Sequence, residues 1–425
     1  MIELEKRDIL NRQCERALLI GFVEDSRHSA EAHVIELEGL VHSMGIEAAL
    51  SMLITLREPH PRWLLGRGKA DEIASCIRAE NIDLVVFDAD ISPAQQRNLE
   101  KTWKIAVIDR QEVILDIFAD RAATHEAYLQ VALARMQYSL PRLTRAWTHL
   151  SRQRGGARGN RGKGETQLET DRRLVLDKIA HLKRDLKKVK AQREVRRKRR
   201  LEGGIPLVSL VGYTNAGKSS LLNALSGSDV YVENKLFATL DTSTRRMELP
   251  GGRECLLTDT VGFIRKLPHG LVDAFRSTLE EAVLADVILL AADASSEELE
   301  EHLKVTNQVL SELGAGNKPR ILVLNKTDAM SAEALSALCM RYPDGLAVSA
   351  RTGAGLEELL EKLGRVLDSA RTEVLLRLPQ EAWNIRSRLH GEVSIINEEF
   401  REDGIWLRVR LNDEERSRLA AYIIS

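Results

Sequence analysis

The sequence predicts a multidomain α/β protein, and three observations predict it. The chain has 425 residues, too many for one compact core at roughly 100–200 residues per domain. Two stretches alternate short apolar runs with helix-period segments, the pattern of a mostly parallel sheet flanked by helices. Between them, and again near the C-terminus, the periodicity changes. We therefore expect an N-terminal α/β domain over 1–121, an antiparallel helical hairpin over 122–204, a second α/β domain with a mostly parallel sheet over 205–369, and a small α+β domain over 370–425.

In the first stretch, ALLIGFV (17–23), LVVFDAD (84–90) and IAVID (105–109) are apolar runs bounded by polar residues, and SPAQQRNLEKTW (92–103) has a helical pattern. The loop LLGRGKADE (64–72) sets glycines beside a lysine. It lacks full phosphate-loop spacing, so a strand-to-helix turn with Gly66 and Gly68 at special backbone angles is the expectation, with a second phosphate site as the rival.

The middle stretch carries two apolar seams. Leu129, Leu133, Met136, Leu140 and Leu143 recur at spacings of four and three, and so do Val175, Ile179, Leu182, Leu186 and Val189. Pro141 should kink or end the first helix early. Between the seams lies RQRGGARGNRGKGE (152–165), rich in glycine and arginine. Residues 151–200 hold 19 Lys plus Arg and 6 Asp plus Glu. With a whole-chain charge of −1, that segment carries +13 and the remainder −14. So uneven a distribution fits either a polyanion contact or a solvated basic helix face. For the run REVRRKRR (193–200), an RNA contact and a charged linker are both open.

Composition narrows the class. Hydrophobic content is 44% and charged content 29%, ordinary for a soluble globular chain. No apolar run is long enough to span a bilayer. The opening MIELEKRDIL lacks the basic and apolar regions of a secretory signal. A cytoplasmic monomer is expected. Cys14, Cys76, Cys255 and Cys339 are widely spaced and read as reduced thiols, mostly structural.

The chemistry is concentrated in the third stretch. The strand LVSLV (207–211) runs into Gly212-Tyr213-Thr214-Asn215-Ala216-Gly217-Lys218-Ser219, and a helical pattern follows. This is a phosphate-binding loop in its required strand–helix context. Glycines let backbone N–H groups approach phosphates, and the helix N-terminus adds its positive dipole end. Lys218 should reach the β- and γ-phosphates, and Ser219 should bind Mg²⁺. The strand ECLLT leads to Asp259-Thr260-Val261-Gly262, where Asp259 can hold Mg²⁺ through water and the Gly262 N–H can sense a γ-phosphate. The strand ILVL leads to Asn325-Lys326-Thr327-Asp328, and AVSA supplies Ser349-Ala350-Arg351. The Asp328 carboxylate can accept from guanine N1–H and the 2-amino group; adenine offers neither donor there. Each short motif is weak alone, but all in order at strand ends point to GTP and GDP as ligands. A metabolic P-loop kinase has no need of this guanine-reading set.

These residues resemble the TRAFAC-class translation GTPases. The chain at large resembles the HflX family. The resemblance is carried by HPRWLLGRGKADEI, VVFDADISPAQQRNLE, VIDRQEVILDIFADRAATHEAYLQV, GETQLETDRR, VSLVGYTNAGKSSLLNAL, LFATLDTSTRR and DTVGFIRKLPHGLVDAFRSTLEE. The C-terminal part carries no motif we can match.

The resemblance implies a GTPase that binds the large ribosomal subunit and splits stalled or idle ribosomes under heat or other stress. It also implies that the N-terminal domain and hairpin loop lie near the peptidyl-transferase centre. Arg152, Arg154, Arg158, Arg161 and Lys163 are then the candidates for rRNA contact. The residues alone leave Thr239, Thr242 and Thr244 open as a second Mg²⁺ ligand. The family match selects Thr239, in the segment Phe237-Ala238-Thr239-Leu240-Asp241, and Thr242 and Thr244 are expected to be exposed loop hydroxyls. Lys218, Thr239 and Gly262 form the expected catalytic set. A rival reading is an rRNA-binding or assembly factor whose GTP state gates docking without splitting.

After Gly262, many GTPases place a glutamine that orients water. Here it is Phe263, which cannot hydrogen-bond water. Hydrolysis should therefore be intrinsically slow and stimulated by the ribosome. Asn215 offers either simple loop ordering or a ligand for K⁺.

Overall fold

The computed structural model describes residues 16–23, 26–56, 58–143, 167–201, 205–227, 237, 243–250, 252–265, 281–369, 372–379, 385–386, 389, 393–401, 403–411 and 413–424. They divide into two compact units. The first holds the described residues through Lys187 together with Phe237; the second holds the others.

The first unit is built on a four-stranded sheet in the order β2-β1-β3-β4, with every neighbouring pair parallel. Its elements are β1 (Arg16–Val23), α1 (Arg27–Ser43), β2 (Glu47–Thr55), α2 (Arg67–Ala79), β3 (Leu84–Phe87), α3 (Pro93–Trp103), β4 (Ala106–Asp109), α4 (Arg110–Arg121) and α5 (His125–Ser139). β3 and β4 are buried along their whole length, although β4 is an edge strand of this sheet. Ser92 starts α3 with a reciprocal capping box to Gln95, and Pro93 follows at the first helical position. β2, an edge strand with many half-exposed residues, was not expected from the sequence.

The loop before α2 departs from expectation. Gly66 is extended at φ −64°, and it is Leu64 that takes the left-handed angle, at φ 63°.

α5 ends at Ser139, and Leu140–Leu143 form a 3₁₀ turn that contains Pro141. A polar node fixes this turn. Asp109, at the end of β4, caps α4 by accepting from the Glu112 N–H at 2.9 Å, and it also accepts from the Tyr138 hydroxyl at 2.9 Å and Arg142 Nη2 at 2.9 Å. Burial raises the Asp109 carboxyl above its ordinary range, against the opposing charge of Arg142. Burial pushes Glu112 up to about 7, helped by the charges of Asp109 and Asp116. The basic connection at 144–166 lies outside the described residues. Beyond it runs α6 (Gln167–Leu201). Its seam follows the expected register: Ile179 and Leu182 are buried, while Val175, Leu186 and Val189 are half-buried.

The second unit contains a six-stranded sheet in the order β10-β9-β8-β5-β7-β6. Its elements are β5 (Leu207–Gly212), α7 (Lys218–Ser226), β6 (Ser243–Leu249), β7 (Arg253–Asp259), β8 (Val287–Asp293), α8 (Leu299–Glu312), β9 (Arg320–Asn325), α9 (Ala332–Arg341), β10 (Leu346–Ala347) and α10 (Leu356–Ser369). All pairs are parallel except β6 with β7. β6 corrects one expectation: Thr244 lies in this strand, its hydroxyl 2.9 Å from that of Thr258, and is not a loop residue. The same unit carries an antiparallel sheet in the order β12-β13-β11-β14. It comprises β11 (Thr372–Leu378), β12 (Ser394–Arg401), β13 (Gly404–Leu411) and β14 (Ile423–Ile424), with α11 (Asp413–Arg418) before the last strand. Among the described residues, no helix is long and apolar enough to cross a membrane.

Candidate nucleotide-binding site

Parallel strands in register place their following loops along one edge of the sheet. Leu210 pairs with Asp259, Gly212 with Ala291, and Asp293 with Asn325. The four motifs expected from the sequence therefore converge at the C-terminal ends of β5, β7, β9 and β10.

The loop from Gly212 to Ser219 joins β5 to α7. Gly217 sits at φ 82°, and a Cβ there would lie 2.3 Å from Asn325 Nδ2. Both the angle and the space demand glycine. Asn215 is also left-handed, at φ 61°, and exposed, an angle asparagine tolerates well. Thr214 and Ala216 are buried. The buried Lys218 ammonium donates to the carbonyls of Gly212 (3.2 Å) and Tyr213 (2.9 Å). Burial pushes its pKa down to about 8, with the charge of Asp259 opposing.

The Ser219 hydroxyl donates to Asp259 Oδ2 at 2.7 Å. One hydroxyl and one fully buried carboxylate at the end of β7 are hard oxygen donors suited to Mg²⁺. No group of three or more His, Cys, Asp or Glu that could hold a metal occurs among the described residues, so a cation here would draw its other ligands from elsewhere. Thr260 donates to the Leu210 carbonyl at 2.7 Å, and Val261 is buried. Gly262 is pressed against the loop: a Cβ on it would stand 2.9 Å from Lys218 Nζ and from Thr214 Cα. Phe263 is 1% exposed. Its backbone bridges to Tyr213, with the Thr214 N–H donating to the Phe263 carbonyl at 2.7 Å and the Phe263 N–H to the Gly212 carbonyl at 3.1 Å.

At the other end of the site, Asn325 is buried. Its Nδ2 donates to the Ala216 carbonyl at 2.9 Å, and its Oδ1 accepts from the Ala350 N–H at 3.1 Å. Lys326, left-handed at φ 66°, pairs with Asp293 at 2.7 Å. Thr327 donates to the Val348 carbonyl at 2.9 Å. Asp328 Oδ1 accepts from the Ser349 hydroxyl at 2.6 Å, and Oδ2 pairs with Arg351. Those partners, Ser349 first, hold its carboxyl below the usual carboxylate range. Two motifs some twenty residues apart in sequence thus present one oriented carboxylate.

The other expected residues divide between the first unit and residues outside those described. Phe237 belongs to the first unit, where its ring packs edge-on against Phe118 with centroids 4.5 Å apart. Ala238, Thr239, Leu240 and Asp241 lie outside the described residues, as do Arg152, Arg154, Arg158, Arg161 and Lys163. The sequence reading also missed participants. The Tyr213 side chain, Arg265, Glu298 and His302 form a cluster beside the loop. No spacing rule links them, because Glu298 and His302 belong to the following helical segment.

Comparison with known proteins accounts for this arrangement. Residues 31–119 match the family model "GTP-binding GTPase N-terminal", 121–200 match "GTP-binding GTPase Middle Region", and 207–326 match "50S ribosome-binding GTPase". A protein of Akkermansia muciniphila described as GTPase HflX is 45% identical over 96% of this chain and 97% of its own. That of Escherichia coli is 44% identical, covering 88% of this chain and 89% of its own, and that of Treponema denticola 49%, covering 78% and 87%.

Proposed function

From the premise that this chain belongs to the HflX family and is a GTP-binding GTPase, we propose that it associates with the large ribosomal subunit and uses the GTP cycle to split stalled or idle ribosomes under stress. Asp328 and the 349–351 loop read guanine, and residues 212–219 cradle the phosphates. P-loop GTPases generally use Mg²⁺, which supplies positive charge across the β- and γ-phosphate oxygens. Here Ser219, Asp259 through water, and Thr239 would hold it. Lys218 would neutralise the phosphates, and the Gly262 N–H would meet the γ-phosphate. Arg152, Arg154, Arg158, Arg161 and Lys163 would meet rRNA phosphates near the peptidyl-transferase centre.

One observation carries the proposal. The residue after Gly262, where a water-orienting amide would stand, is a buried phenyl ring tied by its backbone to the phosphate loop. Such a site hydrolyses GTP slowly until something else orders the water, and a GTPase awaiting its target is the natural reading. The Asn215 side chain is free to serve a K⁺ ligand's role in that step, though its backbone angle by itself accounts for asparagine there. The test is the single-turnover rate of bound GTP with and without purified large subunits. Stimulation of about tenfold or more, roughly 1.4 kcal/mol of barrier, is expected. Equal rates would refute ribosome activation. Light scattering of whole ribosomes after GTP addition then separates splitting from docking alone: a GTP-dependent fall in scattering is expected, and constant scattering with intact binding would mark an assembly factor.

A further inference from the structure

The segment after Gly262 is fastened to the phosphate loop by more than its backbone. The buried Tyr213 hydroxyl accepts from the Arg265 N–H at 2.9 Å. Its ring stacks on His302, centroids 3.9 Å apart and planes 16° from parallel. The Arg265 guanidinium, itself buried, forms a bidentate pair with Glu298 at 2.7 and 3.0 Å. Glu298 and His302 lie one helical turn apart, with His302 Nε2 3.7 Å from the Glu298 carboxylate. The contacts close a circuit from the phosphate loop to the segment after Gly262, on to the start of α8, and back to Tyr213.

A bidentate charged pair fixes both position and orientation, and an aromatic stack fixes the phenol that meets Arg265. Between these two anchors and the Tyr213–Phe263 bridge, Gly262 has little freedom to shift along the loop. On the proposed reading, its N–H would meet a γ-phosphate, which a diphosphate lacks.

We propose that Tyr213 is a positioning residue for γ-phosphate recognition, setting the Gly262 N–H through Arg265 and the Glu298–His302 pair. This rests on the reading of Gly262 as the γ-phosphate sensor. The side chain of Tyr213 faces His302 and Arg265, so its effect on nucleotide passes through the 262–265 segment. Loss of its hydroxyl should therefore weaken binding of a triphosphate and spare that of a diphosphate, a split that general destabilisation does not produce.

The experiment compares affinities for GDP and for the non-hydrolysable imido analogue of GTP, in the full-length protein with Mg²⁺. Tyr213→Phe should lower the triphosphate-to-diphosphate affinity ratio by about three- to tenfold, the range expected for one lost hydrogen bond. Glu298→Gln, which leaves the phosphate loop untouched, should lower the ratio in the same direction, and it decides the matter if Tyr213→Phe folds poorly. Gly262→Ala serves as the reference. If Gly262→Ala lowers the ratio while Tyr213→Phe and Glu298→Gln leave it at the wild-type value, the positioning role is overturned and the sensor reading stands. If Gly262→Ala leaves the ratio unchanged, the sensor reading falls and the proposal falls with it.

Discussion

The Ser349 hydroxyl donates to Asp328 Oδ1 at 2.6 Å, so the loop after β10 orients the carboxylate offered by the loop after β9. If Asp328 reads guanine, Asp328→Asn should weaken GTP binding on the order of a hundredfold, because a site built to pair with donors is strongly penalised when the pairing fails. Preference should move toward xanthine nucleotides, whose base exchanges a donor for an acceptor. Titration with GTP and XTP checks this; an unchanged GTP affinity would remove Asp328 from the base pocket.

If Lys218 holds the phosphates, nucleotide binding should be sensitive to alkaline pH. Its folded pKa, about 8, lies below the ordinary 10.5, so the nucleotide-free protein loses this proton as pH rises through 8. Phosphate binds the ammonium form, and binding above that pH must take a proton up. GDP affinity should be level near neutrality and fall between about pH 8 and 9, approaching tenfold per unit. A dissociation constant flat across that window would show that Lys218 stays charged.

Glu112 is shifted in the opposite direction, upward, and acts on stability. Its folded pKa, about 7, lies above the ordinary 4.5. The folded state therefore holds a proton that the unfolded state releases. The contribution to stability is greatest below pH 4.5, falls as pH rises to about 7, and is level beyond. Glu112→Gln should remove part of that slope and raise the melting temperature at pH 8 by a few degrees, about 1 kcal/mol. Melting curves from pH 5 to 8 test it; parallel wild-type and variant profiles would contradict the assignment.

The basic connection should show itself through salt. Replacing Arg152, Arg154, Arg158, Arg161 and Lys163 with alanine should weaken binding to large subunits and flatten its dependence on salt, since fewer counterions are released. GTP binding should persist. A variant matching wild type in both affinity and slope would leave these residues as a solvated surface.

The fold was legible where information is local. β1, β3 and β4 announce themselves by apolar runs, α3 by its helical pattern, and the nucleotide motifs by their position at strand ends. β6 was not legible: STRRMEL has no alternation strong enough to mark a strand, and only pairing with β7 makes it one. β14 is two residues long and exists through its bonds to β11. The expected backbone strain at Gly66 and Gly68 moved to Leu64, because a glycine signals permission for an unusual angle without requiring it. Within the site, residue types were readable and partners were not. That Asn325 would join Ala216 to Ala350, or Tyr213 reach Arg265, depends on side chains meeting across the sheet edge.

Asn325 has a consequence for exchange. Its single amide holds the phosphate loop with one end and the 349–351 loop with the other, and Gly217 packs too closely against it for any larger residue. If the two loops meet the phosphates and the base as proposed, one side chain couples their movements, and Asn325→Ala should let nucleotide dissociate faster by unfastening them.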